Sequence, residues 1–452
     1  MGVLDSISIG STGLRAAAEA INVVSHNTVN SATDGYTRQQ VLTSSNDPTL
    51  RGGLWAGQGV STDDIARITD LFINERYIQA QGDAASAEAS YRTWSIIEAS
   101  VATDEGVAEN LSAFFDSLSL LSSDPSDTGH RIAAVGAADD FAESVRITVE
   151  NMTRIQDGLE EQLGSTVEGV NDIIRRVAEL NGFVQHGGGA PDLIDERDRL
   201  VGELAERFGA RVDLRPNGGA TVFIGGHAVV MNDNAREIEM DISGDSPAFT
   251  ISADKGEIDI TEDIGGSVGG ILEGWEGAQG IKDDLDTFVS QFAAAFNAQH
   301  QAGYDKDSNP GGDFFTFSTT DPAATLSVSS LLVEDADRIA LAANTPANAG
   351  DRGNLDQLIG LADDAIIDGE TPEIFLSQVY TRLGEATRNA ERAWKAEDTA
   401  LDDASVLRSS ISGVDLDEEA ANLLGWQAAY QAASRVISAS NSMLDELMNI
   451  AR

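Results

Sequence analysis

The sequence contains no cysteine in 452 residues, which excludes disulfides, thiolate catalysis and thiolate-ligated zinc. Only four lysines are present, and Lys plus Arg number 29 against 75 Asp plus Glu, so the net charge is −46. A surface of this sign repels a phosphate backbone, because nucleic-acid binding depends on basic side chains that displace counterions. An anionic membrane is disfavoured for the same reason. We therefore expect neither nucleic acid nor membrane as a partner.

Long hydrophobic runs are also missing, since no apolar stretch approaches the 18 residues or more that a membrane span requires. The N-terminus, MGVLDSISIG, lacks the basic region, apolar core and small-residue cleavage site of a secretory signal. If the protein leaves the cytoplasm, we expect a route without a cleaved signal peptide. Hydrophobic residues still make up 41% of the chain, and its length predicts roughly two to four folded units at about 100 to 200 residues each.

Apolar residues recur every seven positions at both ends of the chain. The N-terminal seams contain Ile7, Leu14 and Ile21, with Gly10, Ala17 and Val24 on the neighbouring line, where the small Gly and Ala would allow a partner helix to approach closely. The C-terminal seams contain, in one register or the next, Leu416, Leu423, Tyr430, Ile437, Leu444 and Leu447. This spacing predicts an axial helix within residues 1–35 and another within residues 413–452. Because a helix gains most of its stability by burying its apolar face, we predict that the two pair in a coiled-coil-like manner.

The middle of the chain changes pattern several times. A stretch from Thr33 to Asp64, rich in Gly, Thr, Asn and Asp, predicts an extended linker or a loose hairpin, and we place the linker at residues 36–83. Helical periodicity predicts a body formed by residues 84–210 and 267–412. Within this body we predict a break at His186 to Gly189, a helix that begins at Pro191, a second from Gly270 to about Ala302 and a third from roughly Pro372 to Ser412. Alternating residues in three short runs, with Asn217-Gly-Gly as a hairpin signal, predict an antiparallel β subdomain over residues 211–266. The predicted fold class is α+β: an elongated multidomain chain with paired terminal helices, a central helical bundle and this small β subdomain.

One segment is typical of a serine hydrolase. Gly265-Gly-Ser267-Val-Gly269 matches a nucleophile elbow, and His186-Gly-Gly-Gly resembles an oxyanion loop. Only His300 follows Ser267, however, and it lies on the same predicted helix, tens of ångströms away at about 1.5 Å per residue. Almost no strand signal follows to complete a parallel sheet. We predict that the protein is not an enzyme, and an esterase using Ser267 is the remote alternative.

A second segment imitates a calcium loop, with alternating oxygen ligands from Asp305 to Asp313. Pro310 occupies the position that needs Gly, and Thr316 stands where the bidentate Glu belongs. We favour a plain Asx and Gly turn. Since nucleotide and zinc motifs are also absent and the five histidines are scattered, we expect no cofactor and no metal.

Several motifs along the chain resemble one family. The N-terminal stretches Ser11-Thr-Gly-Leu-Arg-Ala16, Asn22 to Asn30 and Gly35-Tyr-Thr-Arg-Gln39 are similar to the signature of bacterial flagellar axial proteins. The Tyr-Thr-Arg-Gln ending resembles the hook-associated protein 1 family in particular. That narrower resemblance also rests on four further stretches: Asp192 to Asp198, Gly265 to Gly270, Ala295 to His300, and Ser412 to Ala420 with Tyr430-Gln-Ala-Ala. Two departures are Asp34, where the family usually has Pro, and His26, where Asn is common.

The resemblance implies a non-catalytic adaptor at the hook-filament junction, outside the cell and exported by the flagellar type III apparatus. It implies self-assembly in a ring, contact with hook protein and with the second hook-filament junction protein, and an export chaperone at the C-terminal helix. On this reading the ten seam residues of the two terminal helices form the assembly interface. Two alternatives stay open besides the esterase: another axial protein, such as hook protein or the second junction protein, and a freestanding acidic helical scaffold.

Overall fold

The computed structural model describes residues 2–51, 53–101, 106–185, 189–215, 218–244, 246–253, 256–348 and 350–450. Its helices are α1 Val3–Asn30, α2 Leu71–Val101, α3 Val107–Ser123, α4 Thr128–Phe183, α5 Pro191–Phe208, α6 Gly266–Gln301, α7 Pro322–Thr325, α8 Ser330–Glu334, α9 Gly353–Gly360, α10 Pro372–Ser412 and α11 Leu416–Ile450. The α4 helix alone has 56 residues, a length of roughly 84 Å at 1.5 Å per residue. None of the described helices is long and apolar enough to cross a membrane.

The strands form small antiparallel sheets. They are β1 Gln39–Ser45, β2 Thr49–Arg51, β3 Leu54–Ala56, β4 Val60–Arg67, β5 Arg211–Leu214, β6 Ala220–Ile224, β7 His227–Met231, β8 Asn234–Ala235, β9 Ile238–Asp241, β10 Ala248–Ala253, β11 Gly256–Asp259, β12 Phe315–Thr316 and β13 Ser327–Val328. Strands β5 to β8 make a four-stranded sheet in chain order, and β9 to β11 a three-stranded one. The remaining strands pair as β1 with β4, β2 with β3 and β12 with β13. The fold class is confirmed: helices dominate, the sheets are small and antiparallel, and the terminal helices pack together.

Two hydrophobic cores lie along the body. The phenylalanine core joins α3, the first half of α4, the second half of α6 and the start of α10, around Phe114, Phe141, Phe288, Phe292, Phe296, Phe314 and Phe315. The sheet core joins the second half of α4, α5 and the start of α6 to the β5–β11 sheets. Ile155 of α4 packs against both cores, so one long helix connects them.

Local sequence signals explain several helix ends. The side chain of Asp127 caps α4 by accepting from the His130 amide, and Thr371 caps α10 in the same way with Pro372 in the first turn. Helix α5 is capped by the following Gly209, whose φ of +63° is the left-handed conformation that glycine adopts without a Cβ clash. An added Cβ at Gly209 would also stand 2.6 Å from the Cα of Gly265.

Four predictions differ from the structure or lie beyond the described residues. The extended linker over residues 36–83 is wrong in its second part, since α2 already begins at Leu71, and in its first part the chain forms paired strands. The start of α2 was missed because its many Ala, Gln and polar residues interrupt the apolar spacing from which a helix is predicted. The helix predicted from Gly270 begins earlier, at Gly266. His186 to Gly188, in the predicted helix break, and Asn217, in the predicted hairpin turn, lie outside the described residues.

Candidate assembly site and its joint

Helices α1 and α11 pack in antiparallel directions along a line of small residues. An added Cβ at Gly10 would stand 2.8 Å from Ile437 Cγ1, and one at Gly13 would stand 3.8 Å from the Ala433 Cβ. At the other end of the pair, Asn27 donates to Glu419 at 3.2 Å. The buried residues of α1 are Gly10, Ala16, Ala17, Ala20, Val23, Val24 and Asn27. The missing side chains therefore let the two backbones approach closely, as the small residues of one predicted N-terminal seam suggested.

The ten predicted seam residues occupy different environments. Val24 is buried, and the half-buried members are Ile7, Leu14, Ile21, Leu423, Ile437 and Leu444. Leu416, Tyr430 and Leu447 remain exposed. Most of the predicted seam thus lies at or beside the contact between the two helices of one chain, which leaves its role between chains a prediction.

A second apolar line on α11 was missed by the sequence reasoning. Its members follow one another at spacings of three and four residues, and each is exposed: Ala429, Ala432, Val436, Ala439, Met443, Leu447 and Ile450. We call this line the outer stripe. Val436, Met443, Leu447 and Ile450 expose 44%, 54%, 53% and 81% of their surface. The outer stripe could have been found by testing the C-terminal sequence for a second line of apolar residues at helical spacing. A helix with two apolar lines has two faces that can be buried against partners.

A charged contact ties the start of α11 to the N-terminal segment. Arg38 donates to both carboxylate oxygens of Glu418, at 2.7 and 2.9 Å, and its Nε donates to Glu419 at 2.8 Å. These hydrogen bonds hold the pKa of the Glu418 carboxyl below its usual range. The Glu419 side chain is only 2% exposed, so its charge is tolerated because Arg38 and Asn27 surround it with donors. The Arg38 amide also donates to the Ser412 carbonyl, at 2.9 Å.

Asn27 organises the turn that follows α1. Its amide donates to the Gln39 carbonyl at 2.9 Å and its carbonyl accepts from the Gln39 amide at 3.0 Å. The Tyr36 hydroxyl donates to the same Asn27 oxygen at 2.7 Å. Burial, with the charges of Asp192, Asp195 and Glu419, raises the pKa of Tyr36 far above its usual range, so the hydroxyl stays a donor. Asn27 therefore fixes how the chain leaves α1.

The acidic first half of helix α5 contacts the segment that follows α1. Asp195 accepts from the Thr37 amide at 2.9 Å, and Arg67 at the end of β4 contacts Asp195 and Asp198 at 2.9 and 2.8 Å. Asp198 is also paired with the buried Arg197 at 2.7 Å. Burial raises the pKa of Asp195, and this effect outweighs the opposing charge of Arg67. Together these contacts form the joint: Asn27, Arg38, Arg67, Asp195, Asp198 and Glu419.

The joint unites four of the motifs that carried the family resemblance: the Asn22 to Asn30 stretch, the Tyr36 to Gln39 turn, the Asp192 to Asp198 stretch and the acidic start of α11. The sequence reasoning named these motifs but gave their side chains no role. No periodicity could have done so, because Arg38 and Glu418 lie 380 residues apart.

Comparisons with known proteins show which family this chain resembles. A family model described as the flagellar hook-associated protein FlgK helical domain matches residues 95–315, and one described as the flagellar basal body rod FlgEFG protein C-terminal matches residues 408–450. Flagellar hook-associated protein 1 of Escherichia coli K12 is 25% identical over 97% of this chain and 98% of its own. That of Bacillus subtilis 168 is 26% identical over 96% of both. The chain belongs to the flagellar hook-associated protein 1 family.

Membership of the hook-associated protein 1 family is accompanied by a shared fold. The solved structure of the flagellar hook junction protein FlgK from Burkholderia pseudomallei superposes with a TM-score of 0.67, at 13% identity, over 75% of this chain and all of the other. Flagellar hook-associated protein 1 of Salmonella typhimurium LT2 is 32% identical over 68% of this chain and 58% of its own. The recognition made from motifs is confirmed.

Two segments of the sequence resemble chemical sites: the elbow at Ser267, with His300 downstream, and the loop from Asp305 to Asp313. Ser267 and His300 lie near opposite ends of α6. His300 is buried, its Nδ1 donates to the Gly312 carbonyl at 2.7 Å, and its Nε2 accepts from the Ala340 amide at 3.0 Å. Burial lowers the pKa of His300. Its imidazole therefore holds a loop in place and is fully engaged as a neutral ring.

The carboxylate of Asp305 accepts hydrogen bonds from within its own loop. One carboxylate oxygen of Asp305 accepts from the amides of Asp307 and Asn309, both at 2.8 Å, and the other accepts from the Asn309 side chain at 3.0 Å. This is an Asx turn. In the part of the chain that the structure describes, no group of three or more His, Cys, Asp or Glu side chains is arranged to hold a metal.

Proposed function

We propose that this chain is a non-catalytic adaptor that joins hook to filament outside the cell, and that copies of it assemble in a ring through their terminal helices. The observation that carries the proposal is the outer stripe, an apolar line on α11 from Ala429 to Ile450 that is exposed in the single chain. A continuous exposed apolar line of this kind marks a contact with another protein. The proposed location in the flagellum is supported by a structural neighbour of this chain, which is a flagellar hook junction protein.

The distribution of charge supports assembly at this end. Residues 2–33 contain two acidic residues and one arginine, for a net charge of −1, and residues 420–452 contain two of each sign, for a net charge of zero. Because the whole chain carries −46, residues 34–419 account for −45. Like-charged bodies repel across a Debye length of about 8–10 Å. Copies of this chain can therefore approach most closely at their terminal helices.

The end of α11 also extends beyond α1. In the antiparallel pair Gly13 lies near Ala433 and Gly10 near Ile437, so the last turns of α11 pass the beginning of α1 at Val3. Ile450 is accordingly 81% exposed. These turns offer apolar surface that α1 does not cover, which supports contact with a neighbouring axial subunit. Hook protein and the second hook-filament junction protein are the neighbours that the family resemblance implies, with an export chaperone holding α11 beforehand.

The test separates contacts within a chain from contacts between chains. Met443→Asp with Leu447→Asp places charge on the outer stripe, and we expect a monomer with an ordered α1–α11 pair that no longer forms junctions. Val406→Asp is the matched control, because Val406 is a 70% exposed apolar residue of α10. Junction formation is scored by electron microscopy of flagella from cells that carry each variant as their sole copy.

The paired seam gives the contrasting result. Leu14→Asp with Ile437→Asp should loosen α1 from α11 in the monomer, seen as faster hydrogen exchange in both helices, and should abolish junctions as a consequence. Normal junctions from the outer-stripe variant would contradict the proposed interface. Normal filaments in cells that lack the chain altogether would contradict the proposed function itself.

A further inference from the structure

The paired strands β1 and β4 are fixed against a side of α1 other than its α11 face. The Val60 amide donates to Thr12 Oγ1 at 3.3 Å. At Gly59, whose φ is +89°, an added Cβ would stand 2.2 Å from the same oxygen and 3.3 Å from the Ile9 Cα. Only glycine permits this approach. The far end of the ribbon therefore has a set position relative to the terminal helices.

Beyond Gly59 the ribbon ends in the short pair β2–β3, which we call the tip. Leu50 and Trp55 form a cross-strand pair, so their side chains share one face. Leu50 is 58%, Leu54 76% and Trp55 71% exposed. A two-stranded ribbon is only marginally stable alone, and an exposed indole between leucines is characteristic of the residues that dominate protein interfaces. The tip therefore presents apolar side chains that the described parts of its own chain leave largely uncovered.

We propose that the tip of one copy packs on the outer stripe of a second copy. This inference rests on the proposed function and adds to it the identity of the surface that receives each stripe. Three observations select this occupant. The tip is apolar, as is the outer stripe, and residues 46–58 carry one acidic residue and one arginine, for a net charge of zero. The bodies of two copies carry nearly all of the −46 on each chain and repel one another, whereas the tip and the outer stripe can meet without that repulsion.

The geometry favours a repeating contact. Tip and stripe belong to the same terminal unit, yet both stay exposed in the single chain, with Trp55 at 71% and Met443 at 54%. A contact from the tip of one copy to the stripe of the next is heterologous, since two different surfaces meet. Such contacts repeated around an axis generate a ring or an open helix. This form of growth is what an annular junction requires.

Photo-cross-linking tests the inference directly. The full chain with Trp55 replaced by p-benzoylphenylalanine is mixed in light and heavy isotopic forms, concentrated until sedimentation detects assemblies, and irradiated. We expect mixed light-heavy cross-links that map to residues 425–450. The same probe at Phe183, which is 60% exposed on α4, is the control and should give no cross-link to that segment.

A second measurement uses the concentration at which assemblies appear. Leu54→Ser with Trp55→Ser should raise it at least tenfold, while Phe183→Ser leaves it unchanged and hydrogen exchange in β1 and β4 stays native. Assemblies whose cross-links map to the body of another copy, or within one chain, would overturn this inference and leave the proposed function standing. Failure of the native chain to assemble at all would overturn both.

Discussion

Replacing Arg38 should release α11 from the joint. Arg38→Met removes the one cation that pairs with Glu419 among the described residues; the Glu419 side chain is 2% exposed and that of Arg38 is 14% exposed. Breaking a fully buried pair by removing one partner costs about 3 to 5 kcal/mol. Because Arg38 retains some exposure and Asn27 still donates to Glu419 at 3.2 Å, we expect about 2 to 3 kcal/mol. At tenfold per 1.4 kcal/mol, amides in the first turns of α11 should exchange roughly 30 to 140 times faster.

The measurement is hydrogen exchange on the monomer, followed by peptides that cover residues 413–430. Glu418→Gln is the first comparison, since its side chain is 56% exposed and exposed ion pairs contribute little. Arg435→Met, which removes the same charge from an exposed site of α11, controls for net charge. Both controls should leave the exchange of these amides nearly unchanged.

The decisive variant is the double replacement Arg38→Met with Glu419→Leu. Removing both charges relieves the buried carboxylate, so the double variant should exchange more slowly than Arg38→Met alone. Equal effects of Arg38→Met and Glu418→Gln would refute the view that a buried charge holds α11 in place. A double variant whose amides exchange faster than those of Arg38→Met alone would refute it as well.

Three further predictions concern other parts of the chain. Gly13→Ala should stabilise α1 by up to about 1 kcal/mol through helix propensity, whereas Gly10→Ala should lose that gain because its Cβ would meet Ile437 Cγ1 at 2.8 Å; thermal unfolding of both variants decides. Burial raises the pKa of Asp195, so the unfolded chain releases that proton first as pH rises above about 4. The native chain should therefore lose stability relative to Asp195→Asn with rising pH through that window, in denaturant titrations at each pH. Ser267→Ala should leave any hydrolysis of short-chain esters at background, and a loss of measurable turnover would revive the esterase.

The sequence predicted best what depends on local signals. Helix α10 was expected from Pro372 to Ser412, and the structure has those bounds, because Thr371 and Pro372 mark its start and Gly413 its end. The beginning of α5 at Pro191 was recognised for the same reason. Where signals are weak, as in the alanine-rich α2, the boundary was misplaced.

What the sequence could not provide was the pairing of distant charges. Arg38 and Arg67 look like ordinary solvated residues in a chain with 75 acidic side chains, and only the three-dimensional fold selects Glu419 and Asp198 as their partners. The outer stripe was available in principle from its spacing. It was overlooked because Leu447 had been assigned to the seam that faces α1.

The two cores of the body share more than a boundary. Helix α4 contributes Phe141 to one and Leu163 to the other, and α6 contributes Phe288 and Ile271 in the same way. Two uninterrupted backbones therefore cross from core to core, and no flexible loop lies between them along either path. Twisting one core against the other would require both helices to break or shear. In a rotating fibre, such a body would pass torque along its length as a stiff rod does.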